Sequence, residues 1–121
     1  MEEIVDAAEN VLEEMGSGWS ESIYHRCLEL ELSRQGIEFS SEGTISVQYR
    51  GKPVGRRRPD MFVTVDDGVV VLELKAGSSR GGGQLVEYMD LLDADDNFDD
   101  LAGGILLQFN DDLEYETEEL K

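Results

Sequence analysis

The sequence predicts a single α/β sandwich, a mixed central β-sheet flanked by helices, in the order α-α-β-β-β-α-β. Three observations predict it. Apolar residues recur at helical spacing up to about residue 35, the period changes to two from Ile45, and a short helical segment precedes the last apolar run. Strands joined by tight turns run antiparallel, whereas a strand reached through a helix lies parallel to its neighbour, so the sheet mixes both. At 121 residues the chain is one domain, residues 1–121, with a single core.

Glu2–Met15 carries Ile4, Val5, Ala8, Val11, Leu12 and Met15 on one helical face. Gly16-Ser17-Gly18 closes that helix through the left-handed turn that glycine accepts. Ser20 is placed to cap a second helix running to Gln35, which Gly36 stops. Ile45, Val47 and Tyr49 then alternate with polar residues, and Arg50-Gly51-Lys52-Pro53 reads as a turn. Residues 57–65 and 69–76 are two further strands joined at Asp66-Asp67-Gly68, with Asp67-Gly68 as the two-residue loop. Residues 77–83 form a loop rich in glycine and serine. Residues 84–92 return to helical spacing through Leu85, Tyr88, Met89 and Leu92, residues 93–100 are an acidic connection, and residues 104–109 are an apolar strand. The tail from Asn110 is acidic with few hydrophobes and carries no periodicity that assigns it.

Twenty-eight acidic residues face ten basic ones, only three of them lysine, for a net charge of −18. Such self-repulsion weakens a compact state unless salt screens it. The acid is spread over every segment, the pattern of a halophile's cytoplasmic protein; the rival is an acidic mimic of nucleic acid, which would gather its charge into a stripe. The opening Met-Glu-Glu lacks the basic start of a secretory signal, and the longest apolar run, residues 69–72, is far short of a membrane span. The lone Cys27 rules out an intrachain disulfide and a four-cysteine zinc or iron–sulfur site. A cytoplasmic, soluble protein is expected.

Pro59-Asp60 and Glu73-Leu74-Lys75 carry the chemistry. A two-residue Asp67-Gly68 loop pairs position 62 with 73 and 60 with 75, so Asp60 and Lys75 oppose one another and Glu73 lies one diagonal step away on the same face. A register moved by two residues keeps all three on that face, and a slip by one separates them. Two carboxylates and the Leu74 carbonyl are hard oxygen ligands suited to Mg²⁺ or Mn²⁺. Lys75 would orient the attacking water and stabilise the charge of a phosphoryl transition state. The plainer alternative is an Asp–Lys cross-strand pair with Glu73 at the solvent, and for this triplet alone that alternative wins. Gln84 and Tyr88, spaced i, i+4 on the following helix, share a face directed at the end of the Lys75 strand.

Gly18-x-x-Glu21-x-x-Tyr24 opens a longer series: Tyr49-Arg50-Gly51-Lys52 with Val54-Gly55, Pro59-Asp60, Glu73-Leu74-Lys75-Ala76, Gln84-Leu85 with Tyr88, and residues 104–110. In this order, from Gly18 to about Phe109, the chain resembles the GxxExxY family, a branch of the PD-(D/E)XK nuclease superfamily related to RecB-like nucleases and archaeal Holliday-junction resolvases. The resemblance implies a restriction-endonuclease-like core with Asp60, Glu73 and Lys75 as catalytic centre. It also implies that Glu21 reaches the metal from its helix and that Gln84 and Tyr88 complete the site. A carboxylate in a helix's first turn, as Glu21 would be, is favoured by the helix dipole. The loop before Gln84 is shorter and richer in glycine than the family suggests, the 93–100 connection looks inserted, and the tail lacks a basic ending.

The resemblance points to a Mg²⁺-dependent DNA nuclease acting as a homodimer, with branched or single-stranded DNA as candidate substrates and RNA left open. The charge is wrong for DNA everywhere except at Arg56-Arg57-Arg58, which with Arg50, Lys52 and Arg80 would form a positive rim beside Asp60. The competing readings are a catalytically silent binding protein of the same fold and the acidic DNA mimic. Trp19 and Tyr24 are placed with the core rather than with bases, His25 at the surface, and Cys27 inside the second helix's buried face.

Overall fold

A computed structural model describes residues 1–77, 83–93 and 100–119. Helices α1 (Glu2–Met15) and α2 (Glu21–Arg34) precede the strands β1 (Phe39–Ser40), β2 (Ile45–Tyr49), β3 (Lys52–Arg57), β4 (Met61–Val65) and β5 (Gly68–Ala76). Helix α3 (Gly83–Asp93) then leads to β6 (Leu101–Phe109) and β7 (Leu113–Glu119). Five strands form the central sheet in the order β1-β4-β5-β6-β7, and β2–β3 is a separate two-stranded ribbon. The β5–β6 pair is parallel and its flanking pairs are antiparallel, so the sheet is mixed, as the α3 crossover requires. Among the described residues no helix is long and apolar enough to cross a membrane.

Two layers cover the sheet. From α1, Ile4, Ala7, Ala8 and Val11, and from α2, Tyr24, Leu28 and Leu32, pack on Leu72, Leu74, Ile105, Leu107 and Phe109. On the opposite face Leu85, Tyr88, Met89 and Leu92 of α3 pack with Ile45, Val71 and Leu106. Strand β5 is therefore buried on both faces, which is why its sequence runs Val-Val-Val-Leu instead of alternating. The α3 layer sits close because β6 offers Gly104, where a Cβ would lie 2.8 Å from the Met89 sulfur and 2.9 Å from Leu85 Cδ1.

Several expectations are corrected. The turn expected at Arg50-Gly51-Lys52-Pro53 is the tighter Arg50-Gly51, both with positive φ (49° and 80°), as hairpin geometry prefers. Pro53 lies within β3, and the strand expected at 57–65 divides at Arg58-Pro59-Asp60 into the end of β3 and β4. The first strands therefore do not form one meander. Ser20 holds the N-cap position, but its hydroxyl meets that of Ser22 (3.1 Å) instead of capping the helix. The unassigned tail contains β7, an edge strand whose residues are almost all exposed; pairing along β6 holds it, so no periodicity announced it. Most of the 77–83 loop and the 93–100 connection fall outside the described residues.

Tyr24 locks the α1–α2 junction to the sheet. Its hydroxyl donates to the Gly16 carbonyl (2.6 Å) and accepts from the Trp19 N–H (3.4 Å), while its ring stacks on Phe109 at 4.4 Å and 9°. Tyr24→Phe, which removes only the hydroxyl, should cost about 1 kcal/mol in denaturant melts, against ~3–5 kcal/mol for Tyr24→Ala, which also empties the stack. Equal losses for the two variants would show that the ring packing contributes nothing.

Candidate active site

Asp60 occupies a bend just after the buried Pro59 and immediately before β4. The observed register pairs Met61 with Leu72 and Val65 with Gly68, which brings position 60 beside 73. This is two residues from the expected pairing, so Asp60 faces Glu73 and not Lys75. The cause lies in the loop, which is Asp66-Asp67. Both aspartates keep negative φ, and the positive φ (130°) falls on Gly68 alone. Gly68 starts the strand because the Asp100 backbone crosses so closely that any Cβ there would overlap the Asp100 carbonyl oxygen. The Val69 N–H donates to that same oxygen at 2.8 Å. A shift of two preserves the face, and Glu73 and Lys75 both lie on the α3 side with Val71.

Each carboxylate accepts a backbone N–H from the opposite segment. The Asp60 N–H donates to Glu73 Oε1 at 3.0 Å, and the Leu74 N–H donates to Asp60 Oδ2 at 2.7 Å. Strand β4 begins only at Met61, so the Asp60 side chain supplies the acceptor that a longer strand would have offered Leu74. A strand residue turns its N–H and C=O to the same side, so the Leu74 carbonyl also faces the Asp60 end, beyond the last β4 pair.

Glu73 is the one charged side chain buried among the described residues, with 5 % of its surface exposed. Burial first, and then the negative charge of Asp60, push its carboxyl up to about 7; the Asp60 N–H and the Lys75 ammonium act in the opposite direction. The site is thus short of positive charge. Tyr88 is buried on α3 and senses the same pair: desolvation, followed by the charges of Glu73 and Asp60, raises its hydroxyl. Lys75 is half-buried and forms no hydrogen bond or ion pair among the described residues.

The remaining expected residues are distributed around this pair. Gln84 is exposed one turn before Tyr88 and makes no hydrogen bond among the described residues. Glu21 opens α2 on the other layer; Tyr24, one turn along, stacks on Phe109, whose strand partner is Ala76, so Glu21 lies toward the Lys75 end of β5. Among the described residues no three carboxylate, imidazole or thiol side chains converge, so Glu21 does not join Asp60 and Glu73 in one cluster. Arg57 pairs through Nε with Glu87 Oε1 at 3.1 Å, and Arg58 donates to the Ser41 carbonyl at 3.3 Å. Lys52 and Arg56 are exposed with no ion pair among the described residues, and Arg80 lies outside the described residues.

Trp19, expected in the core, is 46 % exposed and held by its Nε1–H to the Met15 carbonyl (2.8 Å). His25 is half-buried against the Ser41 hydroxyl (3.1 Å), because Ser41 is drawn in by Glu29 (2.7 Å), and Cys27 is only partly buried. One residue was overlooked: Gln108 pairs with Lys75 across β5–β6, so it shares the Glu73–Lys75 face, and its amide donates to the Gly77 carbonyl at 2.9 Å. Its signal was present as the single polar residue in the otherwise apolar 104–109 run.

A family model for the PD-(D/E)XK nuclease superfamily matches residues 1–120. Among solved structures, the crystal structure of a protein designated SSO0001 is similar in fold, with a TM-score of 0.56 and 24 % identity over 81 % of this chain and 50 % of that one. The chain thus spans half the length of that protein. Comparison with curated proteins gives no match.

Proposed function

The chain belongs to the PD-(D/E)XK nuclease superfamily, and from that premise we propose that it is a Mg²⁺-dependent nuclease, of the GxxExxY branch, that hydrolyses phosphodiester bonds in DNA. The observation that carries this reading is the Asp60–Glu73 pair, one carboxylate at the bend before β4 and one on β5, with the Lys75 ammonium two residues on and in no ion pair among the described residues. The donor set fits a hard divalent cation: two carboxylate side chains and the Leu74 carbonyl, at a place where Glu73 lacks a compensating charge. Mg²⁺ is held by one or two carboxylates and keeps several waters, so a third protein carboxylate is not required. Bound there, Mg²⁺ or Mn²⁺ supplies Lewis acidity and a water of lowered pKa.

The chain's own residues supply positioning. Glu73 is held by the Asp60 N–H and Asp60 by the Leu74 N–H, so their oxygens are fixed before substrate arrives. Lys75, with no hydrogen bond or ion pair among the described residues, orients the attacking water and offsets charge on the phosphate. The Tyr88 hydroxyl, raised by burial and by the charges of Glu73 and Asp60, stays protonated at neutral pH and so is available as a donor. Gln84 lies one turn earlier for a phosphate oxygen, and Glu21 takes part through water. Arg56, Arg57, Arg58 and Lys52 form the positive rim, with Arg80 assigned to it from the sequence alone. If two subunits pair as the resolvase likeness implies, the β7 edge is a poor interface. An antiparallel copy would set Glu114, Glu116 and Glu118 against like charges.

Isothermal titration with Mn²⁺ tests the site directly. One divalent cation should bind the wild-type protein per chain, and Asp60→Asn, which keeps an acceptor for the Leu74 N–H, should abolish the heat. Equal binding by the variant would place the metal elsewhere.

A further inference from the structure

The β2–β3 ribbon holds five of the chain's ten bases (Arg50, Lys52, Arg56, Arg57, Arg58) within residues 45–58, and none of the 28 acids. It stands apart from the central sheet and is anchored at its base, where Ile45 enters the α3 core and Arg57 pairs with Glu87. From there outward it is solvent-exposed: every residue of β3 is exposed, and Tyr49 and Val54 expose 63 % and 64 %. Ile45 and Arg57 are cross-strand partners that both turn toward α3, so alternation sends Ser46 and its partner Arg56 to the outer face; the bulge beyond Val47 places its extra residue, Val54, in β3, so the alternation along β2 continues to Gln48 on that face. The side chains of Gln48 and Arg56 make no hydrogen bond among the described residues, so their amide and guanidinium are free to bind.

We propose that this ribbon enters the major groove of B-form duplex DNA, with Ser46, Gln48 and Arg56 toward base edges and Arg50 and Lys52 toward phosphates. Resting on the nuclease reading, this names the substrate form and the element that selects it. The B-form major groove, about 12 Å wide, admits a two-stranded ribbon whose strands lie about 4.8 Å apart. The deep, narrow major groove of A-form RNA does not. Arginine pairs bidentately with guanine and glutamine with adenine, so the outer face carries side chains that read sequence as well as charge. At the ribbon's base, Arg58 and Pro59 lead straight into Asp60, so a groove-bound ribbon delivers the adjacent backbone to the carboxylate pair.

The test is fluorescence anisotropy of the whole chain with EDTA present, using a mixed-sequence DNA duplex, the matching RNA duplex and the single strand. DNA duplex should bind about tenfold or more tightly than either competitor, and Gln48→Ala with Arg56→Ala should remove about tenfold of that affinity. Arg26→Ala with Arg34→Ala, which removes two positive charges from α2 against one from the ribbon, should leave it unchanged. Equal binding of the three nucleic acids, or equal effects of the two double variants, overturns the proposal. Thermal melts confirm that the variants fold. Cleavage with Mg²⁺ is scored separately: survival of cleavage in Asp60→Ala defeats the nuclease reading and leaves the ribbon result standing.

Discussion

Asp60→Ala and Lys75→Ala should each lower Mg²⁺-dependent cleavage of DNA by about 10²–10³-fold or more, the loss expected when one preorganised electrostatic group is removed from a phosphoryl-transfer site. The two variants should fail for different reasons. Asp60 both faces Glu73 and accepts the Leu74 N–H, so Asp60→Ala loses metal affinity and orphans a backbone donor worth about 1–3 kcal/mol of stability. Lys75 makes no hydrogen bond or ion pair among the described residues and meets Glu73 only through its charge, so Lys75→Ala should melt close to the wild type and bind Mn²⁺ as well or better, with the loss concentrated in turnover. Asp60→Asn separates stability from activity, because it keeps the acceptor and loses only the charge. The assay is best run across salt concentrations, since a chain at −18 repels DNA at long range until salt screens it. Undiminished cleavage by Lys75→Ala would remove the lysine from the chemistry.

The limits of what the sequence disclosed follow from how each element is held. Helices α1 and α2 were legible to within a residue, because burial of one stripe imposes a period that the residues must show. Strand β7 was not, because β6 backbone groups hold it and its side chains stay in water, where no pattern is enforced. The β2–β3 ribbon was half seen for a related reason: Ile45 alone is buried, and β3 exposes every residue. The shared face of Glu73 and Lys75 was legible because alternation is insensitive to a shift of two residues. The partner of Asp60 was not, because the register is set at Gly68 by the Asp100 carbonyl, a contact 32 positions away that no local turn preference encodes. Glu21 shows the same limit from the other side. Its helix was placed correctly, but its distance from the carboxylates depends on how α2 lies over the sheet.

Glu73→Gln should make the metal-free protein more stable at pH 8 and inactive at every pH. Burial and the Asp60 charge raise Glu73 from 4.5 to about 7. Between those values the folded chain keeps a proton that the unfolded chain has released, so stability falls as pH rises through that window, at up to ~1.4 kcal/mol per unit. The full loss is roughly 3 kcal/mol, complete above about pH 7.5 and absent below about pH 4.5. Glutamine does not titrate, and its carbonyl still accepts the Asp60 N–H that Glu73 accepts at 3.0 Å. The difference between variant and wild-type stability, from urea melts in EDTA, should therefore grow from pH 5 to 7 and then level. Self-repulsion from the net charge of −18 weakens both proteins alike as pH rises and cancels in that difference. Mg²⁺ should then act on the wild type alone, raising its melting temperature at pH 8 by supplying the positive charge that the Asp60–Glu73 pair lacks. Parallel pH curves for the two proteins would mean that Glu73 ionises freely in the fold, and that the carboxylate pair holds no strain for a cation to relieve.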